Sequence, residues 1–415
     1  MSPRRAYSGR RYRRRRSPLP ALLLVIVLAA LVLGALAIFT DIFKKDTPAD
    51  KPDDPAVTQP DGTQAPDGAQ TPSDGDGQTG GTAPDNVQQP ADNKTVDTIT
   101  TDATPYQSGG VYVVGDTGFE MYNYVDSLAK SYADIVTSVA DQLSGVSTVY
   151  TLAVPLSSGI TLPDALYSDI PGSDQAQAEK DILAAMGNNV KTVPLHDTLM
   201  AHRGEYIYFR TDHHWTQRGA YYGYRAFCQA AGLTPHELSE YQTGSVADFV
   251  GTMYGYTKKY PQSEKLLNNP DTVEYFMPLN PSVMTVYRDA TLTNGSQRTV
   301  IADPAYMAKQ KKSVKYMMFI WGDNPVSHIV SDTVKNGRVL IVTKESYGNA
   351  LVPFLTDHFE EIYVIDPREF NGTNKPSLNI VDFAKEHGAT DFLCVNYAFS
   401  AQPSFMKIFN RMLPE

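Results

Sequence analysis

The densest chemistry in the chain lies in Tyr208-Phe209-Arg210-Thr211-Asp212-His213-His214-Trp215-Thr216-Gln217-Arg218-Gly219-Ala220. Two of the eight histidines are adjacent here, behind an aspartate and ahead of one of the two tryptophans. On extended backbone, positions i and i+2 share a face. Asp212 is therefore expected to hold the imidazole of His214, with His213 pointing the other way. A carboxylate holding an imidazole is two thirds of a nucleophilic triad. The third member is expected at Ser346, in Lys344-Glu345-Ser346-Tyr347-Gly348-Asn349-Ala350. There a predicted strand, 338–343, gives way to a predicted helix. A serine at such a point presents its hydroxyl at the rim of a sheet, beside helix N–H groups that can stabilise an oxyanion. The same position also suits a plain N-cap, so the serine alone decides nothing.

Further polar groups fall at other predicted strand ends. Trp321-Gly322-Asp323-Asn324 offers a glycine N–H at Gly322 and an amide at Asn324, the donors of an oxyanion hole. Arg368 follows the predicted strand 361–366 and would bind an anionic substrate or pair with an acid. Trp215 would fill core or order the histidine. With His213 and Asn349 these complete the candidate oxyanion or substrate-binding residues. Asp-His-His also supplies metal-donor types, but no second His, Cys or Glu cluster has ligand spacing, so no metal is assigned. No cofactor is expected.

The elements that must position these groups alternate. Strands are predicted at 111–114, 148–154, 190–195, 206–209, 316–321, 338–343, 361–366 and 391–397. Helices are predicted at 119–143, 174–186, 216–231, 348–359 and 379–387. Strands alternating with helices predict an α/β fold, a parallel sheet with helices on both faces. Residues 236–315 break the rhythm with strands expected at 273–277, 284–288 and 298–302, and Asn294-Gly295 reads as a hairpin turn. These predict an inserted β-rich lobe.

The N-terminal part reads differently. Residues 1–18 carry eight arginines and no acid, and residues 19–39 are uncharged with one proline. Twenty-one such residues match the roughly 20 that span a bilayer. An uncleaved transmembrane helix is expected, with the arginine tail cytoplasmic and the remainder extracellular. A cleaved signal peptide ending near Ala35-Leu36-Ala37 is the alternative. Residues 40–107, rich in Pro, Gly, Asp and Thr, read as a disordered linker, and residues 108–415 as the globular domain. The formal charge is −10, so removing the +8 tail leaves −18 beyond residue 18. That acidity argues against a nucleic-acid partner. The two cysteines, Cys228 and Cys394, are equally compatible with one disulfide and with two buried thiols.

The blocks Thr211-Asp212-His213-His214-Trp215-Thr216-x-x-Gly219-Ala220, Asp248-Phe249-x-Gly251-Thr252-x-Tyr254, Ser346-Tyr347-Gly348-Asn349-Ala350-Leu351-Val352-Pro353-Phe354-Leu355 and Glu361-Ile362-x-Val364-Ile365-Asp366-Pro367-Arg368 resemble the DHHW protein family of bacteria. That family is similar in turn to the SGNH-like domains of alginate O-acetylation proteins, in which an Asp-x-His-Trp motif precedes the nucleophilic serine. The resemblance spans about 110 to 412. It implies an SGNH-hydrolase-like fold, with Asp212, His214 and Ser346 in the permuted order. One departure is Glu345, where an aspartate usually precedes the serine.

Resemblance and residues together predict an extracytoplasmic serine O-acyltransferase or esterase acting on acetyl groups of a cell-envelope polysaccharide. A transferase would need a membrane protein to deliver acyl groups. The alternative is a non-catalytic, membrane-tethered glycan-binding or assembly protein with a degenerate site, toward which Glu345 leans.

Overall fold

The computed structural model describes residue 99 and residues 105–108, 110–397 and 403–413. The arginine tail, the apolar span and most of the linker lie outside the described residues. No helix among the described residues is long and apolar enough to cross a membrane.

A three-stranded antiparallel sheet comes first: β1 (Tyr106–Ser108), β2 (Val111–Val114) and β3 (Thr117–Glu120). It begins inside the stretch read as linker, and Ile99 is buried against Tyr112, Val114 and Phe119. The predicted helix 119–143 is correspondingly shorter, at Asp126–Gln142, because its first residues pair as β3.

The main sheet has eight strands. They are β4 (Thr148–Val154) and β5 (Val190–Val193), then, beyond a ribbon of β6 (Gln242–Phe249) and β7 (Asp271–Met277), β8 (Ser282–Tyr287), β9 (Ser296–Arg298), β10 (Val326–Ser331), β11 (Val339–Lys344), β12 (Glu361–Ile365) and β13 (Asp391–Tyr397). The order is β5-β4-β13-β11-β12-β10-β8-β9. The first five run parallel, whereas β10, β8 and β9 each pair antiparallel with the preceding strand. The sheet is therefore mixed, not wholly parallel as expected.

Alternate residues of the central strands enter two cores. Leu340, Val342, Ile362, Val364, Leu393 and Val395 meet Tyr221, Tyr224 and Phe227 of the helix Gln217–Ala231. Ile341, Tyr363, Ile365 and Phe392 meet Val136 and Val139 of the helix Asp126–Gln142, with Phe383 and Phe409. Strands buried on both faces read as continuous apolar runs, which is why 338–343, 361–366 and 391–397 were legible.

The expected β-rich lobe divides. Only β6 and β7 form a separate ribbon, while β8 and β9 extend the main sheet through β10. The strand expected at 298–302 pairs earlier, over Ser296–Arg298. Asn294-Gly295 does not make a two-residue hairpin, because Val286 pairs with Ser296 across a longer loop. The strand expected at 316–321 is absent. Lys312–Met318 is 3-10 helix, and Ile320, Trp321 and Gly322 follow with φ of 47°, 58° and 83°. A left-handed run of this kind reverses the chain and cannot lie in a ladder. The residues 206–209 likewise form no strand, only a bridge between Tyr208 and Trp215.

The ribbon is fastened to the helix Gln217–Ala231 by a buried ion pair. Arg218 donates to Glu274 of β7 through Nε at 3.0 Å and a terminal nitrogen at 2.8 Å, and Glu205 lies 3.4 Å away. Removing one partner of such a pair leaves the other charge buried and uncompensated. Arg218→Ala is expected to lower the unfolding free energy by roughly 3–5 kcal/mol in urea titration, against a smaller loss for Arg225→Ala on the exposed side of the helix.

Candidate active site

Asp212 lies on a bent segment, not on a strand. That segment is held from outside. Asp271, fully buried at the start of β7, accepts from Thr211 N at 2.8 Å, Thr211 Oγ1 at 2.6 Å and the Tyr206 hydroxyl. Downstream, Thr216 caps the helix Gln217–Ala231 through Gly219 N. The residues between these anchors are thus clamped at both ends.

The clamp aims three side chains in line. His214 Nδ1 lies 2.5 Å from Asp212 Oδ1, and His214 Nε2 lies 2.6 Å from Ser346 Oγ. A carboxylate only accepts, so Nδ1 donates and Nε2 is left to accept the serine proton. Asp212 also accepts from His214 N at 3.0 Å, Thr252 N at 2.8 Å and Thr252 Oγ1 at 2.9 Å. Burial pushes its carboxyl up. The His214 and His213 imidazoles and the Thr252 N–H outweigh burial and hold it well below the usual carboxylate range. Ser346 is half-buried at the end of β11, at the carboxyl edge of the parallel strands.

His213 does not point away. The bend brings its ring centroid to 3.9 Å from that of His214, and Tyr316 stacks on His214 at 4.0 Å and 11°. Two rings cannot share one face at that spacing, so the His214 ring sits between them. His213 Nδ1 lies 2.5 Å from Thr252 Oγ1. Burial and the neighbouring His214 lower the His213 pKa. Asp212, His213 and His214 bring potential metal-ligand atoms within 4.8 Å of one another. Three of the four imidazole nitrogens are hydrogen-bonded: His214 Nδ1 to Asp212, His214 Nε2 to Ser346 and His213 Nδ1 to Thr252.

Ser346 opens a 3-10 turn, Ser346–Ala350, in place of the predicted helix 348–359, whose remainder is the short helix Val352–Leu355. Ser346 is not the cap. Glu345 is, accepting from Tyr347 N at 3.1 Å and from Tyr397 N at 2.9 Å. Burial pushes the Glu345 carboxyl up to about 7 against the pull of Arg368 and these two N–H groups. The glutamate thus ties the Ser346 turn to the end of β13. Trp215 is fully buried and donates from Nε1 to Tyr347 O at 2.8 Å, so it joins the histidine segment to the serine turn and offers no surface to a substrate. Tyr316 donates to Ser346 O at 3.0 Å.

The expected oxyanion donors are mostly occupied. Gly322 N donates to Phe319 O at 3.0 Å, and Asn324 Nδ2 donates to Ile320 O at 2.8 Å, both within the left-handed turn. Asn349 Nδ2 donates to Asp323 Oδ1 at 3.0 Å. The N–H of Ser346 donates to nothing among the described residues and remains for a ligand. Arg368 pairs with Asp366 at 2.6 Å and with Asp323 at 2.7 Å, the acid-pairing alternative. Cys228 and Cys394 are free and buried, not bridged.

The DHHW protein family model matches residues 78–365. A DHHW family protein from Eubacterium siraeum, known from its crystal structure, is 33% identical, with a TM-score of 0.65 over 75% of this chain and 98% of that one. The chain belongs to the DHHW protein family. Bacillus cereus PatB1, in a structure with a sulfonyl adduct, shares the fold at 16% identity and a TM-score of 0.56, covering 72% of this DHHW protein and 96% of PatB1. The O-acetyltransferase domain of Pseudomonas putida AlgJ, at 14% identity, covers 74% of this chain and 99% of its own with a TM-score of 0.39, too loose to add to the fold. Among curated proteins none matches.

The block Asp248 to Tyr254 now has a physical reading in this DHHW protein. Thr252 carries two of the hydrogen bonds to Asp212, and Gly251 lies against the same carboxylate. Neither residue was a candidate from sequence, because a glycine and a threonine advertise no chemistry. A Cβ at Gly251 would fall inside the Asp212 side chain. Gly251→Ala is expected to slow fluorophosphonate labelling of Ser346 by roughly a hundredfold, the usual consequence of ångström-scale misplacement. The lowered Asp212 carboxyl has its own signature. Its folded value lies below the unfolded value of about 4, so its stabilisation is present above that value and lost as pH falls through the folded one. In urea titrations the deficit of Asp212→Asn relative to wild type should be largest near pH 7 and shrink below about pH 5. A deficit independent of pH would contradict this account.

Proposed function

We propose that this DHHW protein is an extracytoplasmic serine O-acyltransferase or esterase acting on acetyl groups of a cell-envelope polysaccharide. One observation carries the reading: His214 hydrogen-bonds Asp212 at 2.5 Å on one side and Ser346 at 2.6 Å on the other. That is nucleophile, base and orienting acid in contact.

Ser346 Oγ attacks the acyl carbonyl while its proton passes to His214 Nε2. The Ser346 N–H faces the developing oxyanion. Collapse expels the alcohol, which takes the proton from His214 and leaves an acyl-serine. A sugar hydroxyl or water then gives its proton to His214 and attacks the acyl carbon, and Ser346 Oγ recovers that proton on leaving. Asp212 keeps the imidazole in one tautomer and offsets its transient charge. Asn349 and Arg368 hold Asp323, and Gly322 and Asn324 form the turn that carries it.

The extracytoplasmic setting rests on the arginine tail followed by the apolar span 19–39. Outside the cell no soluble thioester is at hand, so transfer would take its acyl group from a membrane protein, and the tether would keep the domain near that source. No cofactor enters the chemistry. The hydrogen bonds of Glu345 give it a structural role that needs no degenerate site.

The test is hydrolysis of p-nitrophenyl acetate by the purified protein, beside Ser346→Ala and His214→Ala. Both variants should lose roughly a thousandfold or more, and each about as much as the double variant, because the residues act as a unit. Equal background rates in three folded proteins would overturn the reading in favour of a tethered glycan-binding protein.

A further inference from the structure

The carboxylates around the triad are saturated with donors. Asp212, Glu345, Asp271 and Asp323 each accept two or more hydrogen bonds. Glu120 is the exception. Its Oε2 is buried and accepts no hydrogen bond among the described residues. An unsatisfied buried acceptor loses its hydration for nothing in return, so such an atom asks for a partner the chain does not supply.

Its position is fixed by close packing. Gly118 of β3 donates to Arg210 O at 2.8 Å, two residues before Asp212. A Cβ at Gly118 would lie 2.9 Å from Met253 Cβ, so β3 rests directly on the helix Thr252–Thr257. Gly118 and Glu120 share a strand face, and Met253 and Tyr256 share a helix face. Glu120 acts on the Tyr256 hydroxyl electrostatically, as does Asp212, so both carboxylates lie near that ring. The charged groups acting on it are His213, Asp212 and Glu345, which puts it on the His213 side of the triad. Tyr256 presents 48% of its surface to solvent. Tyr397, next along, stacks on Tyr347 at 4.9 Å.

A carboxylate that only accepts, beside an exposed aromatic ring, matches the two faces of a pyranose. Hydroxyls donate to the carboxylate, and C–H groups lie on the ring. We propose that Glu120 and Tyr256 form the acceptor-sugar subsite, in which Glu120 Oε2 accepts a hydroxyl of the incoming glycan and Tyr256 carries its ring. This rests on the reading of Ser346 as the acyl carrier. The sugar arrives from the His213 side, its reacting hydroxyl gives its proton to His214 Nε2, and its oxygen takes the acyl group as Ser346 leaves. Glu120 is a specificity-determining residue here and decides sugar against water.

The full-length protein is given p-nitrophenyl acetate as donor and chitopentaose, cellopentaose or glucosamine pentamer as acceptor. The readout is the ratio of acetylated oligosaccharide to free acetate, with the acceptor concentration at half-maximal transfer. Glu120→Ala, Glu120→Gln and Tyr256→Ala are each expected to cut that ratio roughly tenfold and to raise the half-saturating acceptor concentration. Glu120→Gln keeps the side-chain shape and so guards against a mere folding loss. A parallel fall of transfer and hydrolysis with an unchanged ratio assigns Glu120 a structural role and overturns the subsite. So does a wild-type protein that hydrolyses the ester but acetylates none of the three oligosaccharides, an outcome that leaves Ser346 intact as nucleophile. A wild-type protein inert toward the ester overturns the serine reading, and the subsite with it.

Discussion

A buried carboxylate costs several kcal/mol unless it is paired and fully hydrogen-bonded, and the structure is arranged around meeting that demand at Asp212. Four donors converge on it: the His214 N–H, His214 Nδ1, the Thr252 N–H and the Thr252 hydroxyl. Only two come from its own segment. The others arrive from the start of a helix forty residues on, which is why the chain between Asp212 and Thr252 must return to the same place. Gly251 makes the return possible, since any side chain there would occupy the carboxylate's space. Asp271 repeats the device one layer out, holding Thr211 and Arg210 so that the bend is rigid before Asp212 is reached.

The serine is a second body that must meet the first to within a few tenths of an ångström. His214 and Ser346 are separated by 132 positions; two further hydrogen bonds cross the same gap, and Tyr316 bridges it from a third segment. Trp215 donates to Tyr347 O, the Tyr347 hydroxyl donates to His213 O, and Tyr316 donates to Ser346 O while stacking on His214. Each contact fixes a neighbour of a triad member, so the alignment is set by packing before any ligand arrives. Glu345 completes the lock from behind. A side chain one methylene longer than aspartate spans from Tyr347 N to Tyr397 N and binds the Ser346 turn to the adjacent strand.

This division explains what could be seen in the sequence. The motif Asp-His-His-Trp and the strands feeding Ser346 and Arg368 were legible because their signal is local: residue type, spacing and continuous apolar runs. The membrane span and the start of the linker lie outside the described residues, whereas the linker's expected end at 107 falls inside β1. Tyr316, Thr252 and Gly251 were invisible because their importance is purely tertiary. The apolar run 316–321 read as a strand, yet the structure turns it left-handed at Ile320 and Trp321. No propensity predicts a β-branched residue in that region, and such conformations persist only where surrounding structure imposes them. The strand that does exist there, β10, is broken up by Ser327, His328 and Ser331 and was overlooked for the continuous apolar run before it. His213 was misplaced for a related reason: the i, i+2 rule holds for a strand, and residues 211–214 bend.

The charges behind the serine bear on which group it could carry. Lys344 and Arg368 both lie at the carboxyl edge of the sheet. Lys344 contacts Asp323 at 3.0 Å and Asp366 at 3.6 Å, and Arg368 contacts the same two acids. Two cations and two carboxylates balance, so neither cation stands ready for an anionic ligand. Phosphoryl transfer spreads negative charge over several oxygens and calls for clamping cations. Attack on a neutral ester develops charge on one oxygen only, within reach of a few N–H donors. The Ser346 N–H is such a donor, and the neutral network behind it holds the turn without competing for the substrate. The cations behind the serine are thus spent on holding the turn, and the Ser346 N–H is left beside them.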